Sequence, residues 1–294
     1  MLKKIIKNKK CLFFVSAHFL LGCGGEDLPQ YTKLEGLRIL AISTPTPEIQ
    51  NPSGGVVNVN LTPVISDLGG SGSITLNIQS CLDPGTSVGA TPTCVGAAMV
   101  SNLQTVVVTA TTGQPAGTFG DPERTGAPSS GAITVGLIVP AGLLSQYSAA
   151  MQNNGVPYLI TVEAVSSKET VRSFRRIVFS NKTPNTNPTL SDLVVGASSV
   201  TTRPSGDVEL GFTTTSSPEA YISLGNDGSS FSRIEQFETT WFVSDGEILN
   251  PRTRPGETTK WSTPEGAPVG RATVLVGVLR DDRGGVSVVV RNLN

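Results

Sequence analysis

The chain has 294 residues, of which 22 are basic, 23 acidic and 15% charged in all, so no basic surplus exists to hold a phosphate backbone and a nucleic-acid partner is excluded. Its one histidine, His18, lies in the first 22 residues, which leaves the rest without an imidazole for a Ser-His-Asp or Cys-His pair or a His-ligated zinc or haem. Glycine at 32 positions and proline at 20 indicate short strands joined by many turns.

Lys3, Lys4, Lys7, Lys9 and Lys10 open the chain, and an apolar stretch beginning at Cys11 runs to Leu20-Leu21-Gly22-Cys23. That stretch is too short for a permanent membrane span. The charged start, apolar middle and small-residue-plus-cysteine finish resemble a bacterial lipoprotein signal peptide. The resemblance implies cleavage of residues 1–22 and acylation of Cys23, leaving a mature chain of about 270 residues held on a membrane by its acyl groups. Residues 23–34 then form a lipidated tether. Gly24, Gly25, Glu26 and Asp27 place no aspartate directly after the cysteine, which points to the outer membrane, on its periplasmic face or at the cell surface. Removing the five lysines leaves 17 basic residues against 23 acidic ones.

The first folded unit is expected over 35–180. Leu37 to Ile42, Val56 to Leu61 and Ser73 to Ile78 read as strands, the latter two by strict alternation. Cys81 and Cys94 are the only cysteines beyond Cys23, and in an oxidising compartment their pairing would contribute about 3 kcal/mol by closing a short loop. A metal or redox pair is the alternative, but no third ligand accompanies them. Val106 to Val108 and Ile133 to Val139 add strands around a Gly/Pro/Ser/Thr-rich segment from Thr111 to Gly131. Leu143, Leu144, Tyr147 and Met151 recur at helical spacing between Pro140 and Gly155, predicting one short amphipathic helix packed on the sandwich edge. Tyr158 to Val165 and Thr170 to Ser180 form a strand pair, and the polar, proline-bearing residues 181–189 read as a linker.

The second unit, 190–294, opens on Leu190 and Leu193-Val194-Val195. Its Pro204-Ser205-Gly206-Asp207-Val208 matches Pro52-Ser53-Gly54-Gly55-Val56 of the first unit, which hints at two diverged copies of one fold. Thr239-Thr240-Trp241-Phe242-Val243 runs into an Asp245-Gly246 turn, Trp261 follows, and Ala272 to Leu279 and Val286 to Val290 flank Asp281-Asp282-Arg283-Gly284-Gly285. This order resembles the Ig-like and PKD-like β-sandwich modules of extracytoplasmic bacterial lipoproteins, in which a core tryptophan packs between two sheets and a late D-x-x-G-G hairpin closes the fold. The expected fold class is therefore all-β, with two tandem Ig-like β-sandwich domains, the first carrying a short inserted helix, preceded by a lipoprotein signal peptide.

Candidate sites are few. Trp241 is expected in the core, while Trp261, followed by Ser262, Thr263 and Pro264, could equally face solvent and stack on a sugar with Asp245 or Glu247 beside it. Asp245, Asp281 and Asp282, and separately Asn226-Asp227-Gly228, are oxygen-rich, but no complete calcium loop is present and turn geometry alone accounts for them. Nothing pairs Glu163, Glu209 or Glu247 as glycosidase carboxylates. No catalytic residue, metal or cofactor is expected. The sequence thus describes a lipid-anchored binding, adhesive or structural envelope protein, attached to the membrane through its acyl groups and facing an envelope protein or a glycan. A glycan-binding or glycan-processing lipoprotein is the alternative. The loops offered to a partner would be Thr111 to Gly131, Cys81 to Cys94 and Asn226 to Ser230.

Overall fold

The structure, a computed structural model, describes residues 31–34, 36–67, 73–86, 90–109, 118–119, 132–264 and 273–293. The signal-like residues 1–22, Cys23 and most of the Thr111 to Gly131 segment lie outside these. Among the described residues no helix is long and apolar enough to cross a membrane.

Among the described residues the first half contributes nine strands: β1 (Arg38–Ser43), β2 (Glu48–Gln50), β3 (Gly55–Ser66), β4 (Ser73–Leu82), β5 (Gln104–Thr109), β6 (Thr118–Phe119), β7 (Ile133–Val139), β8 (Val156–Val165) and β9 (Thr170–Ser180). One sheet holds β1, β3, β6 and β7, and the other runs β2-β9-β8-β4-β5, with β2 parallel to β9. Alternation drives the assembly: Ile74, Leu76 and Ile78 of β4 point inward, while Thr75, Asn77 and Gln79 between them are less buried. Beside them in the same sheet, Tyr158, Ile160 and Val162 of β8 turn to the same core, and Val135, Leu137 and Val139 of β7 meet them from the opposite sheet. The Tyr158 ring meets Phe179 edge-on at 5.0 Å, its hydroxyl donates to the Ile138 carbonyl at 3.0 Å, and burial pushes its pKa up to about 12. A tyrosine early in a late strand, bonded back to upstream backbone, is a hallmark of Ig-type sandwiches.

The predicted helix exists as two pieces, a 3-10 turn (Leu144–Gln146) and helix α1 (Ala149–Asn154). Ser148 separates them because its backbone is extended and its hydroxyl accepts from the Met151 amide, which starts a new helix. Leu143 is buried and Leu144 and Tyr147 pack on the core, whereas Met151 is exposed. Cys81 and Cys94 are bonded, with Cα atoms 5.7 Å apart. Together with Leu159, Ala97 and Val100 they form a small cluster outside the main core, which pins the two ends of the loop to the sheet while most of its described residues are exposed.

Among the described residues the second half contributes eleven strands: β10 (Leu190–Val195), β11 (Ser198–Ser199), β12 (Gly206–Thr214), β13 (Ala220–Leu224), β14 (Ser230–Ile234), β15 (Glu238–Val243), β16 (Glu247–Ile248), β17 (Arg252–Thr253), β18 (Thr259–Thr263), β19 (Thr273–Arg280) and β20 (Val286–Leu293). The sheets β11-β10-β12-β18-β16 and β17-β15-β19-β20 face each other, and β13-β14 is a separate hairpin. The two Pro-Ser-Gly motifs occupy equivalent places, since Gly54 and Gly206, both at positive φ, stand at the entry to β3 and β12, the strands that each pair with the first strand of their half. Both halves are Ig-like β-sandwiches. Their core strands follow the predicted runs closely.

Residues from Thr32 onward form one compact unit. Leu275, Leu279, Val289 and Leu293 point into the second core, while Val274, Val276, Val278, Val286, Val288 and Val290 on the opposite face meet Leu40, Ala41 and Val64 of the first half, with Leu34 joining the same cluster from its place beside β15. A third apolar cluster therefore joins the sandwiches, and each fully buried Val or Leu in it is worth about 1.5–3 kcal/mol. Residues 181–189 cross between the halves within this body: Asn185 is buried, and Asn187 donates to the Thr44 carbonyl and accepts from the Val286 amide.

Candidate functional site at the junction of the sandwiches

The densest polar chemistry lies where the β19–β20 turn reaches the first half. Arg283 on that turn is 7% exposed at its side chain, and its guanidinium is surrounded by carboxylates from three places in the chain. Nη2 meets Glu48 of β2 at 2.6 Å, and Nη1 meets Glu219 at 3.1 Å and Glu235 at 3.3 Å, these two bracketing the β13-β14 hairpin. Nη2 also donates to the Thr183 carbonyl. Only a planar guanidinium serves so many acceptors at fixed angles.

Glu48, 2% exposed at its side chain, is fully engaged. Its Oε1 accepts from the Ser180 hydroxyl at 2.7 Å and faces Lys182 at 3.4 Å, and its Oε2 accepts the Asn185 amide at 3.0 Å. Asp281 ties the turn itself: Oδ1 accepts the amides of Arg283 at 2.9 Å and Gly285 at 2.6 Å, and the Asn185 side chain donates to both carboxylate oxygens. Burial raises the Asp281 and Glu235 carboxyls above the usual carboxylate range. Arg175 of β9 reaches across to the Gly284 carbonyl, and burial lowers its pKa to about 10. Lys182 and Arg283 lie 5.5 and 5.1 Å from the Tyr221 ring centroid. Beside this network is a cleft of about 560 Å³ lined by Gln50, Asn153, Asn181, Lys182, Tyr221 and Arg283 among others.

The residues singled out by sequence fall elsewhere or take other roles. Trp241 on β15 and Trp261 on β18 are both 0% exposed. Trp241 donates to the Thr253 hydroxyl at 2.8 Å and Trp261 to the Asp245 carbonyl at 3.0 Å, so neither ring offers a face to a sugar. The alternation of Lys260 and Ser262 about Trp261 carried that signal, which the Ser-Thr-Pro tail obscured. Asp245 pairs with Arg203 at 2.6 Å. It cannot join Asp281, because Glu238 faces Arg280 and Val243 faces Leu275, which puts the two aspartates at opposite ends of the β15–β19 pair, at least ~17 Å apart. Asp282 accepts from Tyr221 and from the Gln236 amide, and Asp227 is engaged by Ser229 within its own turn. Among the described residues no group of three or more His, Cys, Asp or Glu could hold a metal ion.

Glu163 pairs with Arg172 at 2.7 Å on the first sandwich. Glu209 on β12 and Glu247 on β16 flank β18 on one face of the second, facing Lys260 and Ser262 respectively. The network around Arg283 had no sequence signature beyond the turn that contains it.

No protein-family model matches the chain, and no curated protein matches it either. Similar solved structures include a red sea bream transglutaminase (9% identity, 89% of this chain, 32% of that one, TM-score 0.26). Others are the neural ectodermal development factor IMP-L2 (10%, 89% and 95%, TM-score 0.18) and dimeric latent PorU from Porphyromonas gingivalis (8%, 89% and 24%, TM-score 0.22). The chain spans about a third of the transglutaminase and a quarter of PorU. Likenesses this slight carry no functional argument. Strand order and packing define the class as a tandem Ig-like β-sandwich protein with a disulfide in its first half.

Proposed function

We propose that this protein is a lipid-anchored, extracytoplasmic module that binds, adheres or provides structure in the cell envelope, and that it acts without catalysis. The single observation that supports this most is the buried junction, in which Arg283, Glu48 and Glu235 join the two sandwiches through charge-assisted hydrogen bonds. A stiff body presents its loops already placed, so binding loses little ordering entropy. The junction carboxylates are committed to Arg283 and to backbone amides, and so serve as struts rather than as a free acid and base. The lipobox-like run ending at Cys23 supplies the anchor. The glycan reading loses its stacking rings, since both tryptophans are interior.

The test is metabolic labelling with a palmitate analogue in cells expressing the full chain or its Cys23→Ala variant, followed by photo-crosslinking in intact cells. The expected result is a labelled, processed wild-type chain linked to an envelope component, and an unlabelled variant of precursor size. An unlabelled wild-type chain overturns the anchor, and hydrolysis of a cell-wall polymer by purified protein overturns the non-catalytic reading.

A further inference from the structure

The hairpin β13-β14 projects from the second sandwich and is finished on one side only. On the β13 side, the Asn154 side chain accepts from the Leu224 amide at 2.9 Å and donates to its carbonyl at 2.7 Å, and Asn153 donates to the Ile222 carbonyl at 3.0 Å. Two amides of α1 thus stand in for a neighbouring strand. On the other side, among the described residues β14 pairs with β13 alone, and all five of its residues, Ser230-Phe231-Ser232-Arg233-Ile234, are exposed. Edge strands are ordinarily blunted by brevity, charge, proline, a bulge or a cover, and of these β14 has its short length and the single charge of Arg233. Among these five residues none is proline, and the pairing with β13 is unbroken.

The register shows what this edge offers. Gly225 donates to Ser229 and Glu235 to Glu219 across the hairpin, so residues 229, 231, 233 and 235 direct their backbone groups toward β13. The amides and carbonyls of Ser230, Ser232 and Ile234 therefore point outward. We propose that this edge pairs with the same edge of a second copy of the chain, antiparallel and centred on Ser232, to form a four-stranded sheet. That register sets Ser232 against its own counterpart and Ser230 against Ile234, each a hydrogen-bonded pair. It also sets Phe231 against Arg233 as a non-hydrogen-bonded pair, where side chains come closest and a guanidinium can lie on an aromatic face. The self-complementarity of the five residues selects a second copy over an unrelated strand.

Five paired residues bury less surface than the ~1,000 Å² a stable interface needs, so the contact is weak in dilute solution. It strengthens where chains are concentrated on one surface, and to that extent it rests on the proposed anchor. Opposed Ser232 Cα atoms in the hydrogen-bonded pair are about 5.5 Å apart, within the roughly 4.4–6.8 Å that a disulfide spans.

The experiment is mild oxidation of membranes from cells expressing the full chain with Ser232→Cys, Ser230→Cys or Ile222→Cys, with the unsubstituted chain as background. The expected result is a reducible dimer for Ser232→Cys at least tenfold above the other two, reduced several-fold when Phe231→Ala and Arg233→Ala are added. Purified variants in detergent at rising concentration separate the two ideas. A chain that pairs but is not anchored crosslinks at position 232 only when concentrated, whereas a chain whose edge does not self-pair shows no preference for 232 at any concentration. Equal yields at 230 and 232, no dimer in either setting, or a product containing another protein overturns the proposal. Unchanged tryptophan fluorescence of each variant establishes that it is folded.

Discussion

Arg283 sits where its carboxylate partners cannot be replaced by water, and that makes it the most sensitive single residue in the body. A buried ion pair adds little over a well-packed apolar pair, but removal of one partner leaves the others charged and unsolvated. Arg283→Ala is therefore expected to lower unfolding stability by about 3–5 kcal/mol, read as a shift in the urea midpoint. Arg283→Lys recovers less than half, because one ammonium cannot reach Glu48, Glu219 and Glu235 together. Glu235 gives the site a pH dependence of unusual sign. Burial raises its carboxyl above the ordinary 4.5, so the folded chain takes up this proton at a higher pH than the unfolded chain does. Its contribution to stability grows as pH falls through the raised value and levels off near the ordinary one. Melting temperatures measured from pH 7.5 to 5 are expected to rise more on acidification in the wild type than in Glu235→Gln; parallel profiles would refute this. Little of the network was legible beforehand. Arg283 and Glu48 are 235 positions apart, and each stands in a polar stretch that reads as ordinary turn or strand end.

At the scale of elements, legibility followed contrast between the two faces of a strand. β4, β7 and β8 alternate sharply and were readable, whereas β2 is three residues long between Pro47 and Pro52 and draws its order from β9. The β13-β14 hairpin escaped notice because it packs on no apolar core: β14 is exposed throughout and β13 is covered by polar and charged neighbours, which leaves Tyr-Ile-Ser-Leu and Ser-Phe-Ser-Arg-Ile without an apolar period. Turns were readable where backbone geometry demanded glycine. Gly246, at φ +80°, sits under the Trp261 ring, and a Cβ there would run into the Ser262 carbonyl. Gly246→Ala is accordingly expected to cost at least ~2 kcal/mol, from the left-handed backbone and the clash together, measured by urea titration of tryptophan fluorescence. The disulfide is a separate element with a separate role. Replacing Cys81 and Cys94 by alanine is expected to cost about 3 kcal/mol through the unfolded chain, and to expose Leu159 to the solvent side of β8.

At the scale of the whole molecule, chain order misleads about which sandwich the tether leaves from. The folded body begins not on the first sandwich but on the second: Val243 donates to the Thr32 carbonyl, the Leu34 amide donates to Val243, and the chain crosses to β1 only afterward. Val243 is one end of β15. The other end, Glu238, faces Arg280 and leads back through Gln236 and Glu235 to the β13-β14 hairpin, so Thr32 and the hairpin occupy opposite ends of the second sandwich. Cys23 and Thr32 are nine residues apart, a leash of at most ~30 Å. On the proposed anchoring at Cys23, the hairpin is carried at the membrane-distal end together with the junction turn, while the Asp245-Gly246 turn lies toward the bilayer. Fluorophores attached through Glu247→Cys and Ser229→Cys, in full-length protein reconstituted into vesicles of brominated lipid, distinguish the two ends. Quenching at 247 is expected to exceed quenching at 229 at least twofold. Equal quenching, or the reverse order, would mean that the body lies flat or inverted on the surface, and the hairpin would then not be the part that reaches outward.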